Sequence, residues 1–273
     1  MLAFSQYKPD YFYLNLDKYR LVEWKKQNSI PVNKSFYHVW KKRKKTIVYF
    51  VIDQDEDLSF INKKLLSQEP NIILLPNISN KDGINPEINL VDIPEKEKNI
   101  LNIIKQLSIP FIGYQKEDNQ FIKKSLKLFI PDDILLYLFL SLYVFCLKNL
   151  KEDNKFFSQM IKEIMPSYQK YIEQEIGQKL EKFTYNGLFK EYYGFYFNYG
   201  ITSEKLIQRD KDSKYTIKQL AYLDTVENNK FILKILFQYI NKYDYVSILS
   251  SAEDYFIQKN VIIEEFGQGN IYL

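Results

Sequence analysis

The stretch that decides the fold runs Ile88-Asn-Leu-Val-Asp-Ile-Pro-Glu-Lys-Glu-Lys-Asn-Ile-Leu-Asn-Ile-Ile-Lys-Gln-Leu-Ser-Ile-Pro-Phe-Ile-Gly-Tyr114. It is followed by Leu128-Phe-Ile-Pro-Asp-Asp133 and an apolar run to Leu147. A short apolar strand ends at Asp92, a charged helix follows, and a second apolar strand spans 109–114. This is a βαβ unit, which demands a parallel pair and a right-handed connection. Within Glu95 to Leu107 the residues Ile100, Leu101, Ile103, Ile104 and Leu107 recur at helical spacing, leaving Lys96, Glu97, Lys98 and Lys105 for water.

Working outward, Thr46-Ile-Val-Tyr-Phe-Val-Ile-Asp53 is a continuous apolar run of buried-strand length, and Asn71-Ile-Ile-Leu-Leu-Pro76 is a third strand. Residues 53–66 read as a helix whose first turn, with Asp55, Glu56 and Asp57, suits the helix dipole. Pro131 opens a helix through Leu147. Beyond residue 148 the pattern turns helical: an amphipathic segment over 155–182 with Pro166 as a kink or break, then helices over 216–241 and 244–258, with Gly267-Gln-Gly269 as a flexible tail. The aromatic residues between Tyr192 and Tyr199 read as packing. The expected fold is therefore α/β: an N-terminal arm over 1–45 draped on a partner, a small, mainly parallel, three-layer αβ core over 46–147, and an all-helical extension over 148–273.

These motifs resemble the bacterial-type ribosomal protein S-two family. There, a strand with Val-Asp-Pro opens a charged helix, that helix ends in Leu-Gly-Ile-Pro before a strand, and Ile-Pro-Gly-Asn-Asp opens a later helix. The corresponding residues here are Leu90-Val-Asp-Ile-Pro94, Leu107-Ser-Ile-Pro110 and Ile130-Pro-Asp-Asp133. The family also has a basic segment after a His and a Trp, then a strand ending Ile-Ile-Asp-Leu, as around His38, Trp40 and Asp53. It usually carries a helical hairpin and a further αβ unit between that strand and the one at Leu90. Here only residues 71–75 and a loop intervene, so the resemblance implies that the hairpin is deleted. It also implies a structural constituent of the small ribosomal subunit that binds ribosomal RNA and neighbouring ribosomal proteins, with no enzymatic activity, no cofactor and no small-molecule substrate.

Composition agrees with such a role without requiring it. The chain has 273 residues, net charge +4, and hydrophobic and charged fractions of 46% and 26%, ordinary values for a globular protein. The 23 Tyr, 20 Phe and only 8 Gly follow an A+T-rich coding bias of the kind some organelles carry. The expected location is the mitochondrial matrix, and because no signal or transit peptide is legible at the start, organellar coding is then expected over import. The single Cys146 and single His38 exclude a disulfide framework and multi-histidine metal sites. The run at 134–147 is shorter than the roughly 20 residues of a membrane span.

The densest basic run is Ser35-Phe-Tyr-His-Val-Trp-Lys-Lys-Arg-Lys-Lys45. Lys41, Lys42, Arg43, Lys44 and Lys45 are expected to neutralise RNA phosphates, with His38 and Trp40 stacking on exposed bases. In an extended segment Lys42 and Lys44 would point away from Lys41, Arg43 and Lys45. Lys123, Lys124 and Lys127 form a second candidate contact. No dinucleotide, P-loop or nucleophile-elbow motif is present. Asp53, Asp92, Asp132 and Asp133 define the alternative, an Mg²⁺-dependent hydrolase or nuclease, beside a non-catalytic subunit of another organellar complex. Each of these carboxylates equally suits a helix start.

Overall fold

The computed structural model describes residues 6–17, 20–31, 34–52, 69–76, 78, 84–85, 95–114, 118–149, 154–180, 185–194, 196–197 and 216–273. It divides into two units: Met1–Lys116 with Asn228–Leu273, and Glu117–Glu227.

The first unit is built on a mixed six-stranded sheet. Its strands are β1 (Phe36–Lys42), β2 (Lys45–Val51), β3 (Ile72–Pro76), β4 (Phe111–Tyr114), β5 (Tyr245–Ser250) and β6 (Asn270–Tyr272), in the order β4-β3-β5-β2-β1-β6. β4, β3, β5 and β2 run parallel, while β1 is antiparallel to both β2 and β6. Side chains alternate cleanly between the two faces, as the strand pleat requires. Phe36, Trp40, Ile47, Tyr49, Ile72, Leu74, Val246 and Ile248 meet helices α7 (Thr216–Lys242) and α8 (Ala252–Phe266) on one side. Tyr37, Val39, Val48, Phe50, Ile73, Leu75 and Leu249 meet α2 (Glu95–Gln106) on the other. The architecture is a three-layer α/β sandwich.

Helix α2 ends as the Leu107–Pro110 segment dictates. The Ile109 amide donates to the Ile104 carbonyl and the Ser108 amide to that of Lys105, at 3.2 and 3.1 Å. Ser108 takes the left-handed conformation, φ 52°, that this terminator needs. Helix α1 (Arg20–Gln27) ends the same way, with Ser29 at φ 56°. Gly113 in β4 is required by a close approach, because a Cβ there would lie 2.2 Å from the Ile78 carbonyl oxygen.

The second unit is helical: α3 (Asp118–Ser125), α4 (Pro131–Asn149), α5 (Asn154–Ile176), α6 (Tyr185–Tyr193) and the first turns of α7. Helix α4 is apolar around its circumference, and Ile134 through Leu140, Tyr143 and Cys146 are buried. Pro166 lies inside α5 without ending it. Tyr192, Tyr193 and Phe197 pack against this core, whereas Tyr196 is exposed. Tyrosine–carboxylate pairs join the helices: Tyr192 to Asp133, Tyr168 to Asp118, and Tyr137 to Asp224. No helix among the described residues is long and apolar enough to cross a membrane.

Three expectations need correction. First, a helical addition is present, but its limits are 117–227 and not 148–273, so α3 and α4 leave the 46–147 core. The chain then returns, and residues 245–250 form an interior strand flanked by β3 and β2. That segment is half strand because Val246, Ile248 and Leu249 find a buried site in the sheet, and tertiary burial outweighs local helical pattern. Second, the described residues of 1–45 pack on their own domain and do not stand off it as an arm. β1 is interior, and residues 6–17 lie on their own domain: the Asn15 amide donates to the Ile257 carbonyl at 2.9 Å, and Tyr7 stacks on Phe266 with ring centroids 4.7 Å apart. Third, Gly267 terminates α8 at φ 79° and β6 pairs with β1, so the tail is ordered. Among the described residues the parallel neighbour of β4 is β3. The strand expected at 88–92 and the helix expected at 53–66 lie outside the described residues, as do Asp53 and Asp92.

Candidate nucleic-acid interface

The basic run folds as the tip of the β1–β2 hairpin. Lys42 pairs with Lys45 across the ladder, so Arg43 and Lys44 form a two-residue loop. Such loops need positive φ at one or both central positions, and Arg43 supplies it at φ 55°.

The turn divides the five cations by role. The Lys42 ammonium donates to the carbonyl of Glu265 in the last turn of α8 and lies 5.5 Å from the Tyr7 ring centroid. That of Lys45 donates to the carbonyl of Tyr243, just past the end of α7, at 3.0 Å, and pairs with Asp244 at 3.0 Å. Both lysines thus sit at helix C-termini, where carbonyls lack helical partners and the dipole is negative. Lys41, Arg43 and Lys44 are exposed. The strict alternation expected along 41–45 is broken by the turn.

His38 and Trp40 are corrected as base-stacking residues. Their relative exposures are 3% and 0%, which leaves no ring face for a base. β1 is an interior strand, so its rings are covered: His38 and Trp40 stack on each other with centroids 3.7 Å apart, and His38 Nδ1 bonds the Tyr255 hydroxyl. Burial pulls the His38 imidazole down to about 4, and the positive charge of Lys259 adds to the effect, opposed by the Gly269 backbone.

The second candidate cluster is in the helical unit and is largely paired. Lys124 binds the Glu227 carboxylate and Lys123 lies 3.5 Å from that of Glu175, while Lys127 is exposed. Of the carboxylates considered for Mg²⁺, Asp132 is exposed and Asp133 is buried against the Tyr192 hydroxyl, with burial pushing its carboxyl up. Among the described residues no three His, Cys, Asp or Glu side chains converge as metal ligands would.

A buried polar chain escaped the sequence reading. The Tyr49 hydroxyl donates to Gln258 Oε1 at 2.9 Å, and Gln258 Nε2 donates to Asn229 Oδ1 at 2.7 Å. Asn229 then reaches Asp254 at 3.5 Å, whose amide is capped by the Ser251 hydroxyl at 3.1 Å. Its groups satisfy one another, tying α7 and α8 to β2. Only the Ser-x-x-Asp capping spacing at Ser251 was a usable sequence signal.

Fold and site together define an α/β protein with an inserted helical unit and a cationic hairpin tip. No protein-family model matches the chain, and neither the curated proteins nor the solved structures compared with it give a match.

Proposed function

We propose that the chain is a structural, non-catalytic protein of the small ribosomal subunit of a mitochondrion, resident in the matrix and bound to ribosomal RNA and neighbouring small-subunit proteins. The observation that carries the reading is the hairpin tip. Three exposed cations, Lys41 at the end of β1 and Arg43 and Lys44 in the loop, stand at a hairpin tip whose other two lysines are fixed to the body. Like charges so concentrated repel one another, and a polyanion relieves the repulsion while releasing its counterions.

One feature supports the particular family. The Leu-Ser-Ile-Pro text at 107–110 ends a helix and enters a strand, with Ser108 in the left-handed conformation natural to the Gly of the resembled Leu-Gly-Ile-Pro.

The test is sedimentation of mitochondrial extract at moderate and high salt. The protein is expected to travel with the small subunit at moderate salt and to leave it only as salt rises. Migration apart from ribosomal subunits at moderate salt would refute the assignment.

A further inference from the structure

Resting on the RNA-binding reading of the same site, we infer that the hairpin tip takes double-helical RNA, held by its phosphate backbone, and does not take unpaired bases. Single-strand sites combine a basic groove with flat side chains on which successive bases stack. β1 has the rings for that, but Phe36, Tyr37, His38 and Trp40 are all buried between the helical layers. Tyr7, the ring beside Lys42, is itself stacked on Phe266. Among the described residues, the exposed side chains of the hairpin tip are Lys41, Arg43 and Lys44, with the Asp244 carboxylate paired to Lys45 at 3.0 Å, and their ammonium and guanidinium donors match phosphate oxygens and ribose hydroxyls.

The tip is also stiff. Its loop is two residues long, both strands are laddered into the sheet, and Lys42 and Lys45 fasten the strands on either side to the ends of α8 and α7. Lys42 and Lys45 are thus positioning residues that hold Lys41, Arg43 and Lys44 at fixed spacing. Fixed charges suit a helix, whose phosphates recur regularly and whose recognition rests on shape, phosphate and 2′-hydroxyl contacts. The loop projects only its exposed side chains, which reach such phosphates without unstacking a base.

Fluorescence anisotropy of the full chain tests this, with an RNA duplex of about 20 base pairs, longer than the ~16 a double-stranded-RNA module spans, against oligouridine of equal length. The duplex should bind at least about tenfold tighter at about 100 mM KCl, and scrambling its sequence should change nothing. Replacing Lys41, Arg43 and Lys44 together by Gln should flatten the log-affinity against log-salt slope by roughly 0.9 per lost phosphate, about 2 to 3 in all. Lys42→Gln and Lys45→Gln should lower the thermal midpoint instead. Equal or tighter binding of oligouridine, or an unchanged slope in the triple variant, overturns the inference and leaves RNA binding standing. Binding of neither probe overturns both.

Discussion

The Nδ1 atom of His38 on β1 lies 2.7 Å from the hydroxyl of Tyr255 on α8, a buried bond between residues 217 positions apart in sequence. It joins the sheet to the helical layer beneath the hairpin. Burial holds the imidazole neutral, at about 4 in the folded protein, against about 6.5 in an unfolded chain. The native state therefore binds fewer protons between those values. The stability this group contributes is complete above about pH 6.5 and is lost as pH falls toward 4. The stability difference between wild type and His38→Phe should shrink over that window by up to about 3 kcal/mol. Denaturant unfolding at stepped pH measures it, and a difference constant with pH would count against the buried neutral imidazole.

In the helical unit, Tyr192→Phe removes the hydroxyl that donates to Asp133. A buried carboxylate losing a donor costs about 1–3 kcal/mol. Burial already raises the Asp133 carboxyl and Tyr192 opposes the rise, so the variant should titrate higher still. A group whose folded value is raised stabilises below its unfolded value, about 3.9, and loses that contribution as pH rises through the folded one. The variant's deficit should thus be larger at pH 7 than in acid. Carbon NMR titration of the Asp133 carboxyl checks the direction, and a downward move would refute it.

Gly113→Ala should destabilise the sheet unit by about 2 kcal/mol or more, because the new methyl would meet the Ile78 backbone. Gly269→Ala should also be costly, since a Cβ there lies 2.4 Å from the Val39 carbonyl oxygen and 2.6 Å from His38 Nε2. Chemical denaturation of each variant tests the contacts. Wild-type midpoints would show that neither approach is tight.

Ser108→Gly and Arg43→Gly should each stabilise the protein. Both positions hold positive φ, 52° and 55°, which costs an L-residue about 1–2 kcal/mol. The net gain is roughly 0.5–1 kcal/mol after the extra freedom of glycine in the unfolded chain. A β-branched residue at either site should do the reverse. If Val at residue 108 were as stable as Gly, the left-handed terminator of α2 would be disproved.

By itself the sequence determined the local elements whose pattern is strong. The apolar runs at 46–51, 72–76 and 111–114 are strands because they are too short and too β-branched or aromatic to be anything else when buried. The spacing of Ile100, Leu101 and Ile104 makes α2, and Pro131 with Asp132 and Asp133 opens α4. The concentration of cations at 41–45 was equally plain. Tertiary structure alone decided which of those cations are free, because Lys42 and Lys45 are claimed by carbonyls of Glu265 and Tyr243 at helix ends about 200 residues away in the chain. It also decided that His38 and Trp40 are core residues: a strand carrying polar and aromatic side chains reads as half-exposed until β6 and α8 cover it. Most of all, it decided that residues 245–250 are an interior strand of the sheet. Their apolar pattern fits helix or strand alike, and only the parallel gap between β3 and β2, with its unpaired backbone groups to satisfy, selects the strand.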